Sequence, residues 1–264
     1  SGKLIEERLD YNEKLFGRYL YKYDLRGNLI EGEYYNVNGY YSGEIFKYDS
    51  RGNCIEHTKL KEDRSVYESF YNKYDIRTNR LIYARFKGLI VFYKYNLQGK
   101  KIESARYSEY RSGVLLEKEL YKYDSTGNVV EYVKIKPDGT LIEKYLYKYD
   151  NRRNRTEVTF YRSNGNISYK MLYKYDERNN KIEEAEFNGE SKLVYREEYK
   201  FDNNGNKIEI KKYQSDGSLQ YKYLSRYDIK NNIIEEAYYR KVIKSGQIKE
   251  ELSSVIEYKY VYFY

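Results

Sequence analysis

The chain has 264 residues, a net charge of +8 from 49 basic and 41 acidic side chains, and 39 Tyr against no Trp, one Met, one Pro and one His. A mean hydropathy of −0.99 with 34% charged residues would suit a disordered chain, but 18% aromatic content does not, because disordered chains lack the large rings that build a core. The apolar runs are only a few residues long, which excludes a membrane-spanning helix. The basic excess is spread along the chain and attracts anions only weakly. A single cysteine, Cys54, permits no disulfide within the chain.

Residues 1–20 read as a degenerate first half-repeat. From Tyr21 a pattern begins that recurs nine times. Tyr21-Lys22-Tyr23 alternates aromatic, cation and aromatic, the period of a strand with unlike faces. Asp24 then opens a turn, Gly27-Asn28 supplies residues tolerant of positive φ, and Ile30-Glu31 starts the return strand. A second turn at Asn38-Gly39 closes the unit and the next copy follows. The anchors after the first are Asp49, Asp75, Asn96, Asp124, Asp150, Asp176, Asp202 and Asp228, mostly 26 residues apart. Two residues before each anchor stands a cation, as in Lys47, Lys148 and Arg226, and the aliphatic residue after the turn is usually followed by Glu, as in Glu56, Glu157 and Glu235. Further second turns fall at Pro137-Asp138-Gly139, Asn164-Gly165, Asn188-Gly189 and Asp216-Gly217. Residues 240–264, ending in Tyr258-Lys259-Tyr260 without an Asp, read as capping strands.

The expected fold is all-β: tandem antiparallel hairpins of about 26 residues, roughly 18 strands, in one domain over 1–264 with nine repeats in 21–239. A sheet that long does not stay flat, so the meander is expected to coil into a spiral, a barrel-like shell or a stacked sheet. A four-residue loop after the Asp would pair each anchor Tyr with the Ile and each Lys with the Glu, so that Lys148 faces Glu157; matched pairs favour this register by roughly 0.2–1 kcal/mol each. The Lys/Glu face would be solvated and the Tyr/Ile face would carry the core.

Tyr-x-Tyr-Asp-x-x-Gly, a polar residue and an aliphatic one, nine times in register over about 20–240, resembles the YD or RHS repeat. Asn after the Gly, where large members carry Arg, marks a divergent branch. The resemblance implies a bacterial, surface or secreted protein of structural type. In large YD-repeat proteins such strands wind into a hollow cage, and carbohydrate binding has been proposed for the repeats. The Asp-Pro-x-Gly motif of the self-cleaving module of some cages is missing, since Pro137 lies in Lys-Pro-Asp-Gly. No secretory signal is legible at Ser1-Gly2-Lys3, so an extracellular or cell-surface location rests on the resemblance.

Catalytic and cofactor chemistry is not expected. One histidine, His57, cannot build a multi-His zinc site or a histidine-based triad, and it reads as an exposed strand residue. Cys54 fills a slot held elsewhere by Leu29, Val129 or Lys181. The off-register acids Glu62, Asp63, Glu250 and Glu251 are scattered rather than paired as a glycosidase requires. Asp202-Asn203-Asn204-Gly205-Asn206 lacks the spaced acids of a calcium loop. Nucleic acid is not an expected partner, because each Lys is matched by a Glu and lies opposite the Tyr face. The expectation is a non-catalytic repeat scaffold that binds a carbohydrate or protein partner, with Tyr121, Tyr123, Tyr147, Tyr149, Tyr173 and Tyr175 as the ligand-binding residues. The alternative is a shell or spacer segment of a larger YD-repeat protein. Unpaired edge strands at either end invite association.

Overall fold

The computed structural model describes residues 3–11, 14–111, 113–244 and 247–258, so the sequence features at Lys259 and Tyr260 and the side chain of Glu250 lie outside the described residues. There is no helix among the described residues; all regular structure is antiparallel strand. Contacts divide the chain into two compact units, residues 1–120 with 136–138, and residues 121–135 with 139–264.

The first unit begins with β1 (Leu4–Tyr11), β2 (Lys14–Tyr23), β3 (Leu29–Asn36), β4 (Gly39–Tyr48) and β5 (Cys54–Leu60). It continues with β6 (Val66–Tyr74), β7 (Leu81–Phe86), β8 (Leu89–Tyr95), β9 (Lys101–Ser108) and most of β10 (Val114–Tyr123). The second unit holds β11 (Val129–Ile135), β12 (Leu141–Tyr149), β13 (Arg155–Tyr161), β14 (Ile167–Tyr175) and β15 (Lys181–Asn188). It ends with β16 (Leu193–Phe201), β17 (Lys207–Gln214), β18 (Leu219–Tyr227), β19 (Ile233–Lys244) and β20 (Gln247–Glu257). Within each unit every strand pairs with the next in sequence, giving a meander of hairpins. The strand count is 20 rather than 18, because both the first twenty residues and the last stretch form full strands.

From β2 to β18 the even strands end on the anchor aromatic, and the turn chemistry explains why. Asp150 donates its backbone N–H to the Asn154 carbonyl at 2.9 Å and accepts the Arg153 N–H at 3.0 Å, closing a loop of three residues. Its carboxylate accepts the N–H groups of Arg152 and Asn154 through one oxygen and the Asn154 amide through the other. The same bonds recur at Asp24, Asp49, Asp176, Asp202 and Asp228. This hydrogen bonding holds the carboxyls below the usual carboxylate range, Asp124 at about 2. A folded pKa below the unfolded one means that the stability these groups add is present above the unfolded value near 3.9 and is lost as pH falls through the folded value.

The three-residue loop corrects the expected four. Tyr149 pairs with Arg155, not with Thr156 in the Ile slot, and Lys148 still faces Glu157 because a β-bulge absorbs the extra residue. The same shift separates Lys22–Glu31 from Tyr23–Leu29 and Lys174–Glu183 from Tyr175–Lys181. Lys148 and Glu157 make an ion pair at 3.0 Å. The bulge keeps the charges in register across a loop that is one residue too short to do so.

The third loop position needs positive φ. Gly205 takes +85° there, but in the sixth YD turn, after Asp150, Arg153 is forced to +69°. A side chain in this region costs about 1 kcal/mol. Arg153→Gly is therefore expected to raise stability by about 0.5–1 kcal/mol in urea unfolding. In the second turns Gly165 and Gly217 fill the same position; at 188–192, however, it is Ser191 (φ 62°) and not Gly189 that turns left-handed.

Packing is shallow. The buried apolar residues are mostly small, Ala84, Val91, Ala105, Val158, Ala185 and Ala237, with Tyr199 the one large ring among them. The Lys/Glu face is solvated only at its charged row. Next to that row Leu146 faces Thr159, which is 4% exposed, and Leu172 faces Ala185. Long neighbours lie over these small residues and keep water from the backbone there.

Candidate binding face

The face opposite the Lys/Glu row carries the six tyrosines singled out from the sequence. Tyr121, Tyr147 and Tyr173 stand two residues before Tyr123, Tyr149 and Tyr175, on the same side of β10, β12 and β14. All six are half-buried. Burial raises the pKa of Tyr123, Tyr147, Tyr149 and Tyr173.

The anchor hydroxyls have a repeating destination. Tyr149 donates to the Val129 carbonyl at 2.9 Å and Tyr175 to the Arg155 carbonyl at 3.0 Å, each on the return strand of the preceding repeat. Tyr48, Tyr95 and Tyr227 do the same toward Leu29, Leu81 and Lys207. Only Phe at 201 lacks the hydroxyl for this bond. Phe201→Tyr is expected to bond the Lys181 carbonyl and to stabilise by about 1 kcal/mol, read as a higher urea midpoint at unchanged m.

The rings of the inner row are interleaved with cations. The Arg155 guanidinium stands 5.7 Å from the centres of both Tyr147 and Tyr173. Lys181 Nζ lies 5.6 Å from Tyr173 and 5.2 Å from Tyr199, and Lys207 Nζ 4.5 Å from Tyr199. Such contacts stabilise by about 0.5–2 kcal/mol according to exposure. The expectation that the cations sit only on the other face therefore needs correction. Arg155, Lys181 and Lys207 occupy the slot that pairs with the anchor aromatic, where other repeats place Leu29, Cys54 or Val129.

Further from the turns, Tyr121, Tyr132, Tyr145, Phe160 and Tyr169 form a continuous aromatic stripe across β10 to β14, with centroid separations of 5.3, 5.9, 4.8 and 5.2 Å. In the first unit the corresponding stripe is Phe46, His57 and Phe70, stacked at 4.4 and 5.2 Å. His57 is thus half-buried between two rings with Glu44 3.5 Å from Nε2, not an exposed strand residue.

Beyond β14 the stripe gives way to a polar cluster. Glu184 and Glu197 face each other across β15 and β16. Glu197 accepts the hydroxyls of Tyr199 at 2.8 Å and Tyr221 at 3.0 Å and the Lys212 ammonium at 3.2 Å. Glu184 accepts the Tyr195 hydroxyl at 3.3 Å and pairs with Lys181. These donors outweigh burial and lower the Glu197 pKa, while burial with the adjoining carboxylates raises Tyr195 and Tyr199 and pushes Tyr221 up to about 12. The paired carboxylates are therefore held as acceptors by five donors within the protein.

Among the described residues no group of three or more His, Cys, Asp and Glu could hold a metal ion. The carboxylate of Asp202 is taken up by Asn204 and Asn206 within its own turn. Asp63 accepts from Ser65 in the same way. Cys54 is half-buried, its thiol donates to the Glu56 carbonyl at 3.4 Å, and burial raises its pKa, which keeps it a weak nucleophile.

No family model and no curated protein matches the chain. Among solved structures it is similar to TcdB2-TccC3 without hypervariable C-terminal region, with a TM-score of 0.51 and 13% identity over 94% of this chain and 16% of that one. TcdB2-TccC3 itself aligns with a TM-score of 0.44 and 11% identity over 96% of this chain and 18% of that one. At such identities the likeness is one of fold: a β-repeat scaffold. The chain spans about a sixth of the length of the protein it resembles.

Proposed function

We propose that the chain is a non-catalytic structural scaffold, a wall or spacer segment of a longer surface or exported YD-repeat protein. The observation that carries this reading is where the recurring side chains point. Tyr48, Tyr74, Tyr95, Tyr149, Tyr175 and Tyr227 bond the preceding repeat, the turn Asn of seven repeats serves its own Asp, and Asn154 and Asn206 also reach the next turn at 2.9 Å. Lys47, Lys94, Lys148, Lys174 and Lys200 are each taken up by a Glu of the adjoining strand, while Lys73 lies over the Tyr83 ring. A motif whose recurring polar groups are mostly committed to adjoining strands and turns builds length and stiffness. The fold likeness to a much longer chain, and the YD-repeat resemblance, support the same reading.

A second reading has one observation in its favour. The half-exposed stripe from Tyr121 to Tyr169 is broad enough to stack on a sugar or to receive a protein, with Tyr121, Tyr123, Tyr147, Tyr149, Tyr173 and Tyr175 beside it. A broad glycan array at physiological salt separates the two. Absence of binding supports the scaffold. Specific binding that disappears in a folded Tyr147→Ala/Tyr173→Ala variant would replace it with a lectin-like module.

A further inference from the structure

The residue directly after each anchor stands at the tip of a YD turn. In the second unit this slot is polar, as Ser125, Asn151, Glu177 and Asn203, with Ile229 the exception. In the first unit it holds Leu25, Ser50, Ile76 and Leu97. Leu25 is 86% and Ile76 79% exposed, and Leu97 is fully exposed. Single exposed apolar side chains are ordinary on a protein surface. Here they coincide with three other departures from the repeat.

The first departure is in the charged row. Lys73 faces Tyr83, where Lys47 and Lys94 face Glu56 and Glu103, and its ammonium lies 5.3 Å from the ring centre. The second is in the turns. Arg26, Arg152 and Arg178, at the second loop position, donate to a carbonyl of the next turn. Arg51 and Arg77 hold the same position, but their guanidinium groups make no hydrogen bond or ion pair among the described residues. The third is loop length. The Asp75 N–H donates to the Arg80 carbonyl at 2.7 Å, one residue further on than in the Asp49 turn, where Asn53 accepts.

These departures meet at an open groove of about 610 Å³ between the Asp49 and Asp75 turns, lined by Ile55, Ile76 and Ile82 and by Arg51 and Lys73. The acids beside it are already engaged. Glu56 pairs with Lys47 at 2.9 Å, and Asp49 and Asp75 accept N–H groups of their own turns. The cations of the groove therefore lack a counter-charge within it. Leu97 stands on the next hairpin, two strand spacings or about 10 Å along the edge.

We propose that this turn edge of the first unit docks on an anionic lipid surface. Ile76 and Leu97 enter the boundary between headgroups and acyl chains, and Arg51, Lys73 and Arg77 meet the lipid phosphates. The spacing favours a bilayer over a folded partner. The aliphatic tips stand apart with cations between them, so a protein would need a separate pocket for each, whereas lipid takes up each one individually. Attraction of the cations and burial of a few apolar side chains are each modest, and together they give reversible attachment at the surface.

Flotation of the 264-residue chain with vesicles tests this, using phosphatidylcholine alone and phosphatidylcholine mixed with phosphatidylglycerol. The expected result is partition onto the mixed vesicles, little onto the neutral ones, and release as salt is raised. Ile76→Ser/Leu97→Ser and Lys73→Gln/Arg77→Gln should each weaken partition by roughly tenfold. Ile229→Ser, in the same slot of the second unit, should leave it unchanged. All these side chains are exposed, so the fold, followed by circular dichroism, should be kept. The chain has no Trp, so Leu97→Trp supplies a single reporter whose emission should shift to the blue on the mixed vesicles. A chain that stays in the buffer overturns the proposal, as does a reporter whose emission does not shift. Partition indifferent to Ile76→Ser/Leu97→Ser also overturns it, since net charge alone would then hold the protein. Binding of soluble polyglutamate with the same sensitivity to both double variants would assign the edge to an acidic protein instead.

Discussion

Tyr199→Ala should destabilise the second unit by about 4 kcal/mol, while Tyr199→Phe should cost about 1–2 kcal/mol, both read from urea unfolding at unchanged m. Tyr199 is the one large ring in the core, 8% exposed, in a sheet whose other buried apolar residues are small. Removing it forfeits the burial of the ring and two cation contacts, from Lys181 and Lys207. It also leaves Glu197 without its 2.8 Å donor. The phenylalanine variant keeps the ring and the cations and loses only the hydroxyl, so the difference between the two variants measures packing against hydrogen bonding. Equal losses would show that the carboxylate cluster, not the ring, holds this region.

Raising the pH should unfold the protein steeply between about 10 and about 12. A tyrosine ionises near 10 when unfolded. Burial raises the folded pKa of many tyrosines here, Tyr145 and Tyr221 to about 12. A group whose folded pKa is raised contributes stability that is fully present below the unfolded pKa and is lost as pH rises through the folded one. Several such tyrosines share the same thin sheet, so these contributions are lost together. Ultraviolet absorbance of tyrosinate followed alongside far-ultraviolet circular dichroism gives the check. The buried phenols with raised pKa, Tyr145 and Tyr221 among them, should titrate late and together with loss of strand signal. A gradual titration at the ordinary pKa with the strands intact would contradict the shared burial.

The period, the strand ends and the Lys–Glu partnership were legible because nine copies of a short motif average out local accidents. The loop length was not. A four-residue loop, and a three-residue loop followed by a bulge, put Lys148 opposite Glu157 alike, so charge matching cannot separate them. What differs is the partner of Tyr149, and Arg155 there was the available signal: a cation in a slot that holds Leu29 or Val129 elsewhere, repeated as Lys181 and Lys207. His57 and Glu184 also sit one residue after the ladder Glu, which by period-2 counting places them on the aromatic face. His57 nonetheless reads as exposed when judged by its type alone and not by the face it occupies. The six chosen tyrosines were placed on the right face, but the stripe itself runs through Tyr132, Tyr145, Phe160 and Tyr169, which lie outside the Tyr-Lys-Tyr-Asp signature.

The reach of the inter-repeat bonds has a consequence for heredity. The anchor hydroxyls bind a carbonyl about twenty residues back, and the Asn side chains bridge turns 25 or 26 residues apart. No such bond among the described residues skips a repeat, so each repeat is tied by them only to the repeats beside it. Recombination between copies can then delete or duplicate one period and leave a coherent sheet: joining Asp150 to Glu177 recreates an Asp-Glu-Arg-Asn-Asn turn with every slot filled. A shift of a single residue has no such refuge, since it would set Lys against the aliphatic slot in the altered hairpin. Genes of this kind should therefore change length in whole periods, with odd lengths, as between Asp75 and Asn96, confined to hairpins that adjust their loops.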